Sequence, residues 1–102
     1  MSIEELIPQE IEDIPAAILA TLAATRPAAH ETARALRKPT PRRIFIIGNG
    51  TSLYTSMAAS YTARMLAGAG DPFVQAVPAG EFRYFMPFIG AEDVVVGMSA
   101  SG

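Results

Sequence analysis

A chain of 102 residues, half of them hydrophobic and 18% charged, has room for one small domain and is built to bury a core. Eight basic against ten acidic side chains leave a net charge of −2 without a long run of either sign, so the basic stripe of a nucleic-acid-binding surface is absent. The lack of cysteine removes disulfides, thiolate catalysis and cysteine metal sites together. The single histidine, His30, sits in an Ala-rich, helix-like stretch, and no metal or other cofactor is expected.

The first 41 residues read as a helical lead-in. Met1–Asp13 carries five acidic residues and no basic one, which is not the pattern of a secretory signal. Ile14–Ala24 is too short to span a bilayer, so a soluble, cytoplasmic protein with no membrane contact is expected. Pro15 suits the first turn of a helix over Ala16–Thr25, and Pro27 restarts the pattern as a second short helix over Ala28–Lys38. Pro39-Thr40-Pro41 then breaks it. Arg34, Arg37, Lys38, Arg42 and Arg43 straddle that break and read as a basic helix end and a solvated linker.

Residues 42–102 have a different character. Ile44-Phe45-Ile46-Ile47 is a continuous apolar run, as in a strand buried on both faces of a parallel sheet; the strand is expected over 44–48. Gly48-Asn49-Gly50-Thr51-Ser52 is a turn. Leu53–Ala67 follows as a helix with Leu53, Met57, Tyr61 and Met65 as its inward stripe. Gly68–Pro72 ends that helix, and a second strand spans 73–77. A short helical segment lies around Glu81–Met86, and a third strand spans 94–98 before Ser99-Ala100-Ser101-Gly102.

Strand, helix, strand, short helix, strand is the alternation of an α/β fold, expected here as a three-layer, Rossmann- or flavodoxin-like parallel sheet opening in the order 2-1-3. Ligands of such sheets bind at the carboxyl ends of the strands where the order reverses, which is between the first and third strands. The loops leaving those strands are Gly48–Ser52 and Ser99–Gly102, both rich in glycine and hydroxyl side chains. Glycine lets the backbone approach an anion, helix-start N–H groups point at it, and serine and threonine donate without adding charge. For one loop alone, Thr51 or Ser52 as an N-cap is the simpler reading. Two loops converging on one point indicate a phosphate cradle. Nucleotide fingerprints fit poorly: Leu53 replaces the third glycine of the dinucleotide motif, Val77-Pro78 stands where a ribose-binding acid belongs, and no lysine follows Gly50.

At these loops the chain resembles the sugar isomerase (SIS) domain family, most closely the isomerase half of the glucosamine-6-phosphate synthases. Ile46-Ile47-Gly48-Asn49-Gly50-Thr51-Ser52 is similar to the family's first strand and Gly-Thr-Ser loop, and Glu81-Phe82-Arg83-Tyr84 to its Glu-Phe-Arg-Tyr segment. Met98-Ser99-Ala100-Ser101-Gly102 resembles the start of its Ser-Gln-Ser-Gly-Glu-Thr phosphate loop. The lead-in Gln9-Glu10-Ile11 to Pro15 also looks like the family's stretch ahead of its first SIS domain.

The resemblance implies that Asn49, Gly50, Thr51, Ser52, Ser99, Ala100 and Ser101 form the substrate and phosphate site, with no catalytic residue among them. Asn49 stands where the synthases have cysteine, and Ala100 replaces a glutamine, leaving a backbone N–H. The implied ligand is a hexose or hexosamine 6-phosphate. The implied activity is that of a sugar-phosphate isomerase, or of an aminosugar-phosphate isomerase, deaminase or deglycase. Glu81 invites a role as a base; its place in a first turn, with Phe82 and Tyr84 packing, is the structural alternative. The SIS domain is expected to be incomplete at Gly102 and inactive alone, and the parent is expected to be a homodimer or higher homo-oligomer. If Met1 is the true start, a glutaminase nucleophile is absent and the parent stands alone. The competing reading is a SIS domain that senses sugar phosphates without catalysis. Residues 1–40 are short and poor in basic residues for the helix-turn-helix that would accompany it.

Overall fold

The computed structural model describes residues 2–37, 40–67, 72–85 and 88–100. The chain divides into two compact units, Met1–Lys38 and Pro39–Gly102.

The first unit is one helix, α1 (Ile3–Ala35), rather than two short ones. Pro8, Pro15 and Pro27 all lie inside it. Each proline removes one backbone donor, but Ala16-Ala17 and Ala28-Ala29 follow two of them with strong helix formers, and the helix runs on. At its start the Glu5 carboxylate accepts a hydrogen bond from the Ser2 N–H at 3.3 Å. No residue of α1 is buried.

The second unit is α/β. Strands β1 (Arg43–Gly48), β2 (Phe73–Pro78) and β3 (Asp93–Gly97) form a parallel sheet in the order β2-β1-β3, as the alternation of elements predicts. Helix α2 (Thr51–Ala67) connects β1 to β2, and α3 (Ala79–Phe85) follows β2. The core sits on the central strand and its β2 neighbour: Phe45, Ile46, Val74 and Val77 are buried. The Phe82 ring of α3 meets Phe45 at 6.2 Å. Gly48 lies against the first turn of α2. Side chains alternate along β1, so Phe45 and Gly48 face opposite ways and the two helices cover opposite faces of the sheet. Neither helix reaches β3, whose Val95 and Val96 are 40% and 43% exposed.

The inward face of α2 differs from the expected stripe. Ser56 and Ser60 are the buried residues, at 0% and 2% exposure, whereas Tyr61 and Met65 face outward, Met65 at 83%. A spacing of four residues advances the stripe by about 40° per step, so its later members rotate off the sheet. Serine takes their place because it is small enough for the helix to approach the strands. Its hydroxyl is satisfied locally: Ser56 Oγ donates to the Ser52 carbonyl at 2.7 Å and Ser60 Oγ to the Met57 carbonyl at 2.8 Å. Tyr84 likewise does not pack but is exposed, beside the Arg83 guanidinium. Gly68–Asp71 and Met86 lie outside the described residues.

Two arginines close the sheet. Arg64 on α2 donates through Nε to the Val74 carbonyl at 2.6 Å, occupying an outward-facing acceptor of the edge strand β2. Arg43 is not a linker residue. It opens β1, in register with Asp93 of β3, and its Nε and Nη2 donate to the two carboxylate oxygens, each at 2.8 Å. Asp93 also accepts from the Gly90 N–H at 2.9 Å, so it fixes both the turn into β3 and the strand pairing.

The Arg43 side chain holds the Asp93 carboxyl down at about 2, below its ordinary 3.8, with the Gly90 N–H assisting. Asp93 in turn raises the Arg43 guanidinium. Because the folded carboxyl titrates below the unfolded one, the pair stabilises the fold fully above about pH 4 and loses that contribution as pH falls through about 2. Asp93→Asn should therefore lower the urea midpoint near neutral pH, and the difference from the unsubstituted chain should close as pH approaches 2. A pH-independent difference would contradict this assignment.

Candidate functional site

The carboxyl ends of β1 and β3 enclose a cleft of about 730 Å³. Its floor is where the ladder between the strands ends, the Met98 N–H donating to the Ile47 carbonyl at 2.9 Å. One wall is Gly48, Asn49, Thr51 and Ser52, and the facing wall is Gly97, Met98, Ser99 and Ala100; Ala79 completes the lining from the start of α3. The two loops singled out from the sequence thus share one cavity, at the reversal of strand order.

The first wall owes its shape to two glycines. A Cβ on Gly48 would lie 2.8 Å from the Ser52 carbonyl carbon and 2.9 Å from its oxygen, so only glycine lets α2 start this close to β1. Gly50 has φ +55°, the left-handed conformation that turns the chain sharply from strand to helix. The Asn49 carbonyl accepts from the Ser52 N–H at 3.1 Å across this turn, and the Gly50 carbonyl accepts from Tyr54 at 3.3 Å, the first helical bond. Gly50 therefore occupies the capping position. It shapes the turn and is not itself part of the cleft wall.

Thr51 and Ser52 sit within the first helical turn, one step past the cap. Neither hydroxyl caps the helix, contrary to the simpler reading of this loop, and both residues line the cleft. Among the three described helices, α2 alone has no acidic residue in its first turn; α1 begins with Glu4 and Glu5, and α3 has Glu81. The positive end of the α2 dipole faces the cleft with no acidic residue in that first turn to compensate it.

The described lining contains no ionisable side chain. Serine, threonine and asparagine side chains and backbone N–H groups are donors suited to an anion and not acid–base catalysts. Glu81 is exposed on α3 and does not line the cleft. Ser101 lies outside the described residues. Ala79 and Met98 went unrecognised in the sequence reading; the signal for them is position, since each immediately follows a strand of the sheet. No grouping of His, Asp and Glu with metal-binding geometry occurs among the described residues, and none of the described helices is long and apolar enough to cross a membrane.

The chain matches no family model, no curated protein and no solved structure.

Proposed function

We propose that the protein binds a sugar phosphate of the hexose or hexosamine 6-phosphate type in the cleft between β1 and β3. The observation that carries this reading is the convergence of Asn49, Thr51, Ser52, Ser99 and Ala100 on one cavity, at the uncompensated N-terminus of α2. The phosphate takes the end formed by that helix start and by Ser99 and Ala100, and the sugar hydroxyls take the remaining polar wall. The resemblance of the same loops to the SIS family supports a sugar phosphate over a free inorganic anion. On this reading the three strands open a Rossmann- or flavodoxin-like SIS domain of a sugar-phosphate isomerase or an aminosugar-phosphate isomerase, deaminase or deglycase.

A second reading, sensing without catalysis, is favoured by the absence of an ionisable side chain among the described lining residues. The two readings agree on binding and differ in turnover. The 102-residue chain should convert no hexose phosphate above background by itself.

Calorimetry tests the shared claim. A hexose 6-phosphate should bind at least about ten-fold more tightly than the free hexose, since the site's donors address the phosphate. Ser99→Ala and Ser101→Ala should each weaken binding by ~1 kcal/mol or more, the loss expected for a hydrogen bond to a charged acceptor. Equal affinity for phosphorylated and free sugar would overturn the proposal.

A further inference from the structure

The cleft has two chemically different sides. Side chains alternate along β1, so Gly48 faces α2, whereas Ile47 faces the α3 side together with Phe45. Gly97 of β3 is in register with Ile47, so a side chain there would point the same way. Ala79 opens α3 itself, immediately after Pro78, the register partner of Gly48. Ile47, Gly97 and Ala79 all line the cleft. None of the three carries a side-chain donor or acceptor, whereas Thr51 and Ser52 at the start of α2 each carry a hydroxyl. The α2 side offers polar recognition, and the α3 side offers shape alone.

Spacing keeps the two sides apart. Strands β2 and β3 flank β1 at about 4.8 Å each, so the chain leaves the sheet toward Ala79 and toward Ser99 at points about 10 Å apart. A phosphate group held by the α2 start, Ser99 and Ala100 does not reach across that span to Ala79. The carbon frame esterified to it does, by crossing the end of β1. What that frame meets is small: a methyl group at 79 and no side chain at 97. The fold itself does not require glycine at 97. Among the described glycines only Gly50 has a positive φ, and a Cβ on Gly97 would find nothing within 4 Å. The room beside Ile47 is therefore room for a ligand.

We propose that Ala79 and Gly97 are specificity-determining residues, which set by size, and without hydrogen bonding, the sugar frame admitted beyond the phosphate. The inference rests on the sugar-phosphate reading of the cleft. NMR titration of the 102-residue chain with glucosamine 6-phosphate, fructose 6-phosphate and inorganic phosphate tests it. Ala79→Leu and Gly97→Val should each weaken whichever hexose phosphate binds by about ten-fold or more, the discrimination that a change of size in an apolar wall produces. Inorganic phosphate, held on the α2 side, should change by less than about two-fold, as expected for sites that far apart. Gly97→Val should fold, because it adds a β-branched residue to a strand at an open position, and it decides the matter should Ala79→Leu unfold the chain. Gly80→Leu adds bulk to α3 one residue on, outside the cleft lining, and should leave the ratio of the two affinities unchanged. Equal weakening of both ligands, or an unchanged hexose-phosphate affinity in Gly97→Val, would overturn the inference and leave the sugar-phosphate reading standing. An unsubstituted chain that binds neither hexose phosphate would overturn that reading, and this inference with it.

Discussion

Gly48→Ala should destabilise the sheet unit by about 1–3 kcal/mol and impair the cleft in the same step. The added methyl would stand 2.8 Å from the Ser52 carbonyl carbon, 2.9 Å from its oxygen and 3.0 Å from the Leu53 nitrogen. All three are backbone atoms at the start of α2, with no flexible side chain to swing aside. Relief requires the helix start to move away from β1, and that movement carries Thr51 and Ser52 off the cleft wall. Gly80→Ala provides the contrast: it lies in α3, has nothing within 4 Å of the position a Cβ would take, and should change stability by less than about 1 kcal/mol, in the favourable direction. Urea denaturation of the two variants, read beside hexose-phosphate affinity, checks both. A Gly48→Ala protein with unchanged midpoint and affinity would show that the close approach is not required.

Phe45→Ala should have the largest effect on stability, about 3–5 kcal/mol. Phe45 is 2% exposed on the central strand, with Gln75 of β2 and Val95 of β3 as its neighbours in register. Its ring meets Phe82 from α3, and the Arg43 guanidinium lies 5.6 Å from its centre. Truncation therefore opens a cavity at the one place where strand, helix and the Arg43–Asp93 pair meet. Small domains are stable by about 0.05–0.15 kcal/mol per residue, so a loss of this size approaches the whole stability of the unit. The expected result is a chain without a cooperative thermal transition, while Phe45→Leu, closer in volume, should retain one with a loss below about 1.5 kcal/mol. A Phe45→Ala protein that melts cooperatively within a few degrees of the unsubstituted chain would rule out this core.

The Ile44–Ile47 run, the turn residues after it and the alternation of apolar runs with helical segments determined the second unit's class, its central strand and the 2-1-3 order. These are local signals whose spatial consequence is nearly forced: an uninterrupted apolar strand needs cover on both faces, and right-handed crossovers then leave few orders. The same reasoning places the Gly48–Ser52 and Ser99–Gly102 loops at one end of the sheet, and Gly48, Asn49, Thr51, Ser52, Ser99 and Ala100 of those loops line the cleft. What the sequence did not determine depends on partners far along the chain. Arg43 reads as part of a basic linker until β1 and β3 are in register, when Asp93, fifty residues on, supplies its counter-charge. Ser56 and Ser60 score as polar, yet they form the inward face of α2 because the closeness of helix to sheet, set by Gly48, admits only small side chains there. Pro15 and Pro27 signal breaks, but a proline removes only one donor, and the bonds on either side carry α1 through. Thr51 and Ser52 belong to the cleft and not to a helix cap because Gly50, in its left-handed conformation, takes the capping position one residue earlier. Composition and periodicity describe what each segment prefers by itself, whereas register, close approach and charge pairing arise only when segments distant in sequence are brought together, and at those points the tertiary structure decided.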